Sequence, residues 1–288
     1  MEYSDLYADI AERTGGDIYI GVVGPVRTGK STLIKRFMEL MILPEISDEA
    51  FGRRARDELP QSAAGRTIMT TEPKFVPEQA VRLELEGGIE LRARMIDCVG
   101  YLVPGAMGHE EGERPRMVKS PWFDDEVPFD TAAEMGTRKV ICEHSTIGLA
   151  VTTDGSISDI PRENYVEAEQ RVVEELEAIH KPFVILLNCV EPQAPESLAL
   201  AAHLQEKYGH AVLPVSCAEM TQGTIHEGLR QVLLEFPVKE LAFAMPKWVT
   251  MLSAGHWLQQ EIYAAVREYA ERLIEQYDVR SGQGPVTI

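Results

Sequence analysis

The stretch GPVRTGKST at residues 24–32 narrows the possible folds more than any other feature of the chain. It reads G-x-x-x-x-G-K-S, the pattern of a loop that cradles phosphate. Gly24 and Gly29 permit the tight backbone path that aims successive N–H groups at one anion. Lys30 reaches toward the β- and γ-phosphates, and the Ser31 hydroxyl suits Mg²⁺. The pattern carries weight only in context, and the context is met. DIYIGVV at 17–23 is a short β-branched apolar run of the kind that forms a buried strand. STLIKRFMELMIL follows the loop, with Leu33, Ile34, Phe37, Leu40 and Met41 at helical spacing. Strand, glycine loop and helix come in the order that sets a phosphate at a helix N-terminus.

Further β-type runs lie at 81–86, 90–96, 146–153, 183–188 and 211–216, and helical patterns at 163–179, 195–208 and 223–235. This alternation predicts an α/β P-loop NTPase, a mostly parallel sheet with helices on both faces. The runs across 81–96 flank a Gly-Gly pair, which predicts a hairpin and an antiparallel edge strand. Pro237 closes the pattern. Residues 255–277 predict one long amphipathic helix, with Leu258, Ile262, Val266, Tyr269, Leu273 and Tyr277 on a common face. That face needs a partner: the sheet domain, another subunit or a second domain. The final RSGQGPVTI has the chemistry of a linker.

Composition excludes several classes. The 288 residues carry 46 acidic side chains against 28 basic, a net charge of −18. Nucleic-acid binding and direct adhesion to anionic lipid both draw on lysine and arginine, so this balance disfavours them. The four cysteines, Cys98, Cys142, Cys189 and Cys217, are far apart and lack C-x-x-C spacing, which argues against a disulfide framework or a zinc site. The N-terminus lacks an apolar signal core, and no run approaches the roughly 20 apolar residues that span a bilayer. The expectation is a soluble, cytoplasmic protein.

A second motif completes the phosphate site. RARMIDCVG at 92–100 is a strand ending in D-x-x-G. Asp97 fits the aspartate that holds Mg²⁺ at such a strand end, and the Gly100 N–H fits a donor to the γ-phosphate. Between the motifs lies the polar GRTIMTTEP at 65–73, with Thr67, Thr70 and Thr71 as hydroxyls. Thr70 or Thr71 is the expected sensor that closes on Mg²⁺ and the γ-phosphate. Small GTPases place a glutamine after D-x-x-G to orient water. Tyr101 stands there instead, a poor substitute. Arg27, inside the loop, has two readings: an arginine finger in cis, or a surface arginine paired with a carboxylate. The polar segment 105–126 has the length of a mobile switch. Within it His109 and Glu110 are either water-orienting groups or parts of a solvated loop. Base selection also departs from the GTPase pattern. Where N-K-x-D would stand, the chain has Asn188, Cys189, Val190 and Glu191. The longer glutamate compromises the paired contact to guanine, which makes ATP plausible.

Taken together these motifs look like the translation-factor-related class of P-loop NTPases, and RTGKS resembles the loop of guanylate-binding proteins, where an arginine acts in cis. DIAERTGGDIYIGVVGPVRTGKSTLIKRFMEL, ELPQSAAGRTIMTTEPKFVP, IDCVGYLVPGA and EMGTRKVICEHSTIGLAVTTDG more closely resemble the stage IV sporulation protein A family of endospore-forming bacteria. The resemblance runs from about residue 5 to residue 258. It implies an ATPase that polymerises with ATP hydrolysis into the basement layer of the spore coat. That layer lies on the forespore surface within the mother cell. A small amphipathic membrane peptide anchors it, and other coat proteins join it. By the same resemblance Lys30 takes the loop-lysine role, Asp97 the Mg²⁺ role, and Thr70 and Thr71 the sensor role. Family members are longer, so the resemblance implies a fragment or truncated homologue, with an ATPase domain at 1–240 and a helical linker starting a truncated middle domain at 241–288.

The candidate catalytic residues are thus Lys30, Asp97, Thr70, Thr71 and Arg27. The candidate ATP-binding residues are Gly24, Arg27, Thr28, Gly29, Lys30, Ser31, Thr32, Gly100 and Asn188, and the candidate Mg²⁺ ligands are Ser31, Asp97 and Thr71. Three functions compete: a Mg²⁺-dependent ATPase driving scaffold assembly, a regulatory GTPase with an aberrant base motif, and a nucleotide-binding scaffold without turnover.

Overall fold

The computed structural model describes residues 16–46, 48–60, 72–85, 89–108, 110–111, 114–236, 243–253 and 255–281. They fall into two compact units divided between Leu233 and Leu234.

The first unit is built on a six-stranded sheet. In chain order its strands are β1 (Asp17–Val23), β2 (Lys74–Leu85), β3 (Ile89–Asp97), β4 (Ile147–Thr153), β5 (Phe183–Asn188) and β6 (Val212–Val215). Across the sheet they run β6-β5-β4-β1-β3-β2. All neighbours are parallel except β2, which pairs antiparallel with β3 at the edge. The expected hairpin is therefore present. Pro77 sits where the β2–β3 pairing slips between Val76 and Val81, a place where a residue without an N–H is tolerated. Every residue of β4 and β5 is buried, as parallel strands covered on both faces require. Burying each large side chain of this kind, such as Ile185, contributes about 1.5–3 kcal/mol.

The helices of this unit are α1 (Lys30–Phe37), α2 (Glu49–Asp57), α3 (Phe129–Lys139), α4 (Val166–Ala178), α5 (Pro195–Tyr208) and α6 (Gln222–Leu234). The run expected to be one helix after the glycine loop is shorter as α1 and passes into a π turn at Met38–Ile42. The region read as helix at 163–179 begins as a 3-10 turn, Arg162–Tyr165, before α4. Two helices had no sequence expectation. In α2, Asp48 caps the N-terminus, its carboxylate accepting from the Ala50 and Phe51 amides at 2.8 Å each. In α3 the buried face is mostly small: Ala132, Ala133, Gly136 and Thr137 behind Phe129. The segment 105–126, expected to have the length of a mobile switch, carries short antiparallel pairings of Glu110–Glu111 with Arg114–Pro115 and of Met117–Val118 with Val127–Pro128.

The second unit contains a short helix, α7 (Lys247–Thr250), and the long helix α8 (Trp257–Ser281). The Gln259 amide donates to the Val249 carbonyl at 3.0 Å and ties them together. The expected face is corrected at one position. Leu258, Ile262 and Val266 are half-buried, but Tyr269 is 53 % exposed and Ala270 takes the buried place. A step of four residues from Val266 keeps Ala270 on the stripe, whereas Tyr269 turns aside to an edge-on contact with Phe243 at 6.4 Å. The side chains of Leu273 and Tyr277 lie outside the described set. No helix among the described residues is long and apolar enough to cross a membrane.

Candidate nucleotide site

Strand register brings the motifs together before any side chain is considered. Val22 of β1 lies opposite Asp97 of β3, and Val23 opposite Ala150 of β4. Asn188 of β5 lies opposite both Thr153 of β4 and Val215 of β6. The loop at 24–29, Asp97 and Asn188 therefore share the carboxyl edge of the parallel strands, the edge where ligands bind in open α/β sheets.

The loop is held by two bonds from other segments and one within itself. The Val26 amide donates to the Tyr101 carbonyl at 2.9 Å. The Asn188 side-chain amide donates to the Thr28 carbonyl at 2.9 Å. The Thr28 hydroxyl turns inward to the Pro25 carbonyl at 3.0 Å, which leaves only the backbone of Thr28 to face an anion. Gly29 has φ +91°, and a Cβ there would come within 2.2 Å of Asn188 Nδ2. Arg27 also lies in the left-handed region, at φ 65°. That conformation costs a side-chain-bearing residue about 1–2 kcal/mol. Held strain of this kind gathers at functional sites. Arg27 is half-buried beside Tyr165, whose phenol burial pushes up while the arginine charge pulls it back.

Lys30 is buried, and its ammonium donates to the Pro25 carbonyl at 2.6 Å and the Gly24 carbonyl at 3.3 Å. The Ser31 hydroxyl donates to Asp97 Oδ2 at 2.9 Å. The other oxygen, Oδ1, is enclosed and has no hydrogen-bond partner. Burial drives the Asp97 carboxyl above its usual range, and the Lys30 charge, the Ser31 bond and the neighbouring Cys98 amide pull it back. Burial likewise lowers Lys30. An enclosed, unpartnered carboxylate oxygen beside a serine hydroxyl and a phosphate loop is a donor set that fits Mg²⁺, which takes one or two carboxylates and completes its shell from phosphate and water. Among the described residues no cluster of three or more His, Cys, Asp or Glu could form an all-protein metal cage.

Other expected residues fall as follows. Thr32 is half-buried in the first turn of α1. Gly100 lies against the loop, but its amide donates to Thr137 Oγ1 at 3.1 Å. Thr67, Thr70, Thr71 and His109, and the side chain of Glu110, lie outside the described residues. In the base motif, Asn188 spans two strands: besides Thr28 it accepts the Cys217 amide on Oδ1 at 3.0 Å. Cys189 is fully buried, its thiol facing the carbonyls of Leu187 and Val215, so it offers no stem to a base. Glu191 is exposed.

Several partners carried no sequence signal. Tyr101 is 2 % exposed; its phenol donates to Glu175 at 2.5 Å and its ring lies 4.0 Å from the Arg171 guanidinium. Glu169, 2 % exposed, accepts from Arg162, from Thr152 at 2.5 Å and from Tyr208 at 2.8 Å. Ser156 links Asp154 to the Val190 amide and so joins the loops after β4 and β5. Each is a contact between distant segments, which no local pattern announces.

Sheet order, glycine loop and strand-end aspartate define a P-loop NTPase. The ATPase-domain model of stage IV sporulation protein A matches residues 1–237, and the middle-domain model of the same protein matches 238–286. The chain is 53 % identical over 279 residues to stage IV sporulation protein A of Bacillus anthracis and, equally, to that of Bacillus subtilis (strain 168). It is 49 % identical over 265 residues to that of Clostridioides difficile (strain 630). These alignments cover 97 %, 97 % and 92 % of this chain, and 57 %, 57 % and 54 % of the relatives. The chain belongs to the stage IV sporulation protein A family and spans just over half the length of these relatives. A solved SsGBP variant superposes with a TM-score of 0.42 at 15 % identity, over 81 % of this chain and 64 % of that one, an overlap too loose to bear on function.

Proposed function

We propose that this chain is a Mg²⁺-dependent ATPase, converting ATP and water to ADP and phosphate, whose turnover drives self-assembly of a spore-coat basement scaffold on the mother-cell face of the forespore. The observation that carries the chemistry is the Ser31–Asp97 bond with Asp97 Oδ1 left enclosed and unpartnered beside Lys30. Ser31 and Asp97 are the residues that would hold Mg²⁺, with Thr71 as a third ligand, and the ion would supply charge neutralisation at the phosphates. The loop amides and Lys30 stabilise the charge that spreads over the transferred phosphoryl group. Arg27 acts on the same charge in cis, and Thr70 and Thr71 close over the γ-phosphate. Thr28, Gly29 and Thr32 line the phosphate path, and Asn188 supports it from behind. The nucleotide domain ends near residue 240, and 241–288 open the middle domain. Self-association, an amphipathic membrane-anchoring peptide and other coat proteins are the partners this reading assigns.

ATP is preferred to GTP because the cysteine at 189 is turned into the core and the carboxylate at 191 is a methylene longer than the guanine-reading aspartate. One observation favours a scaffold without turnover. The residue after D-x-x-G is Tyr101, whose phenol is engaged with Glu175 and cannot orient water. Competition between ATP and GTP, phosphate release with Mg²⁺ and sedimentation before and after ATP separate these readings. The ATPase reading expects ATP-selective binding, turnover that Asp97→Ala reduces at least tenfold, and ATP-dependent sedimentation. Tight binding without turnover establishes the scaffold instead, and GTP-selective binding establishes the GTPase.

A further inference from the structure

The segment after Asp97 is tied down by bonds that the phosphate chemistry does not use. The Gly100 amide donates to Thr137 Oγ1 at 3.1 Å, and that hydroxyl donates onward to the Ala133 carbonyl at 2.8 Å within α3. Thr137 is 0 % exposed. Next to Gly100, the Tyr101 phenol is held by Glu175 of α4. Arg171 covers the Tyr101 ring and pairs with Glu175 at 3.3 Å and with Glu134 of α3 at 2.9 Å. Gly100 also abuts the phosphate loop: a Cβ on it would fall within 2.1 Å of the Gly24 carbonyl and 2.6 Å of Lys30 Nζ. The backbone beside the loop lysine thus has its one amide proton committed to a helix.

We propose that Thr137 is a positioning residue of the nucleotide site: its hydroxyl parks the Gly100 amide on α3, and a terminal phosphate beside Lys30 must draw that amide away to be bound. This rests on reading the loop as a triphosphate site. One N–H cannot serve two acceptors at full strength. Gly100, at φ +94°, is free to turn its peptide between them. A diphosphate makes no claim on that amide, so the latch opposes triphosphate alone. By linkage, α3 and, through Tyr101, the Arg171–Glu175 pair on α4 then register the third phosphate.

The test compares wild type, Thr137→Val and Thr137→Ser in the 288-residue chain, titrated with a non-hydrolysable ATP analogue and with ADP, each with Mg²⁺. Valine keeps the shape and removes the hydroxyl, leaving the amide only the weaker Cys98 thiol as an acceptor. The analogue-to-ADP affinity ratio is expected to rise by roughly threefold to tenfold, the worth of one such bond. Serine retains the hydroxyl and keeps the ratio within about twofold of wild type. An unchanged ratio in the valine variant, or an equal rise in both variants, overturns the latch. Hydrogen exchange over 129–139 in the wild-type chain gives a second reading that needs no substitution: a change with the analogue and not with ADP supports the latch, and the same response to both refutes it. If wild type binds neither nucleotide, the triphosphate reading itself fails, and the latch with it.

Discussion

The two halves of the nucleotide site are built differently. Among the described residues the phosphate half is interlocked: Lys30 on two loop carbonyls, Ser31 on Asp97, and the Val26 amide on the Tyr101 carbonyl. The base half keeps one polar anchor, Asn188, and that residue faces the protein, with its amide on Thr28 and its carbonyl oxygen on Cys217. Its neighbours are a core thiol and an exposed carboxylate. Charge on a phosphoryl group is the same whatever base it carries, so the half that handles it tolerates little change. Base recognition depends on a few directed hydrogen bonds, and removing them leaves the phosphate geometry intact. The contrast predicts that damage to the phosphate half stops the chemistry, damage at Asn188 loosens the scaffold, and conservative change at the base edge does little.

The largest effect is expected at Lys30. Lys30→Ala removes the side-chain ammonium buried against the loop and should lower phosphate release about 100- to 1000-fold, as loss of a single preorganised stabiliser of developing charge does. Steady-state release with saturating ATP and Mg²⁺ checks this. A loss of less than about threefold would place the chemistry elsewhere and erase the distinction between the halves.

Asn188 comes next, and its signature differs. Asn188→Ala strands the buried Cys217 amide and the Thr28 carbonyl, so stability should fall by about 3 kcal/mol, summing two unsatisfied groups. Urea denaturation measures it. Intact stability with lost nucleotide binding would mean that Asn188 reads the base directly and is not chiefly a tie between loop and sheet.

These two residues also mark what the sequence discloses. The phosphate loop and Asp97 are legible because their spacing is local and the surrounding strand and helix patterns are strong. The strands followed from apolar runs, several to within a residue or two. Helix α3 was hidden because Ala132, Ala133 and Gly136 give it a close-packing face without the large apolar stripe that marks a helix. Helix α2 was hidden by its many charges. Thr137, Glu175 and Glu169 matter through partners far along the chain, so only the fold reveals them. Tyr101 was expected from its residue type to be a poor positioner of water, and its enclosure by Arg171 and Glu175 came only with the fold. Tyr269 was misplaced because helical spacing alone puts residues 266, 269 and 270 on nearly one face.

The smallest effect sharpens the comparison most. Glu191→Asp restores the carboxylate length of the guanine motif, and if sequence identity at that one position decided base choice it would convert the site. It should not, because Cys189 beside it is buried with its thiol on the Leu187 and Val215 carbonyls and leaves no stem to lie on a purine ring. A lone carboxylate on an exposed loop exchanges hydrogen bonds with water for hydrogen bonds with base, at a net gain of about 1 kcal/mol or less. The GTP-to-ATP affinity ratio of the variant should therefore move by less than about fivefold. A shift of 100-fold toward GTP in competition titration would show that the base half had retained a complete recognition surface lacking only one methylene's adjustment, and that its difference from the phosphate half is one of a single side chain.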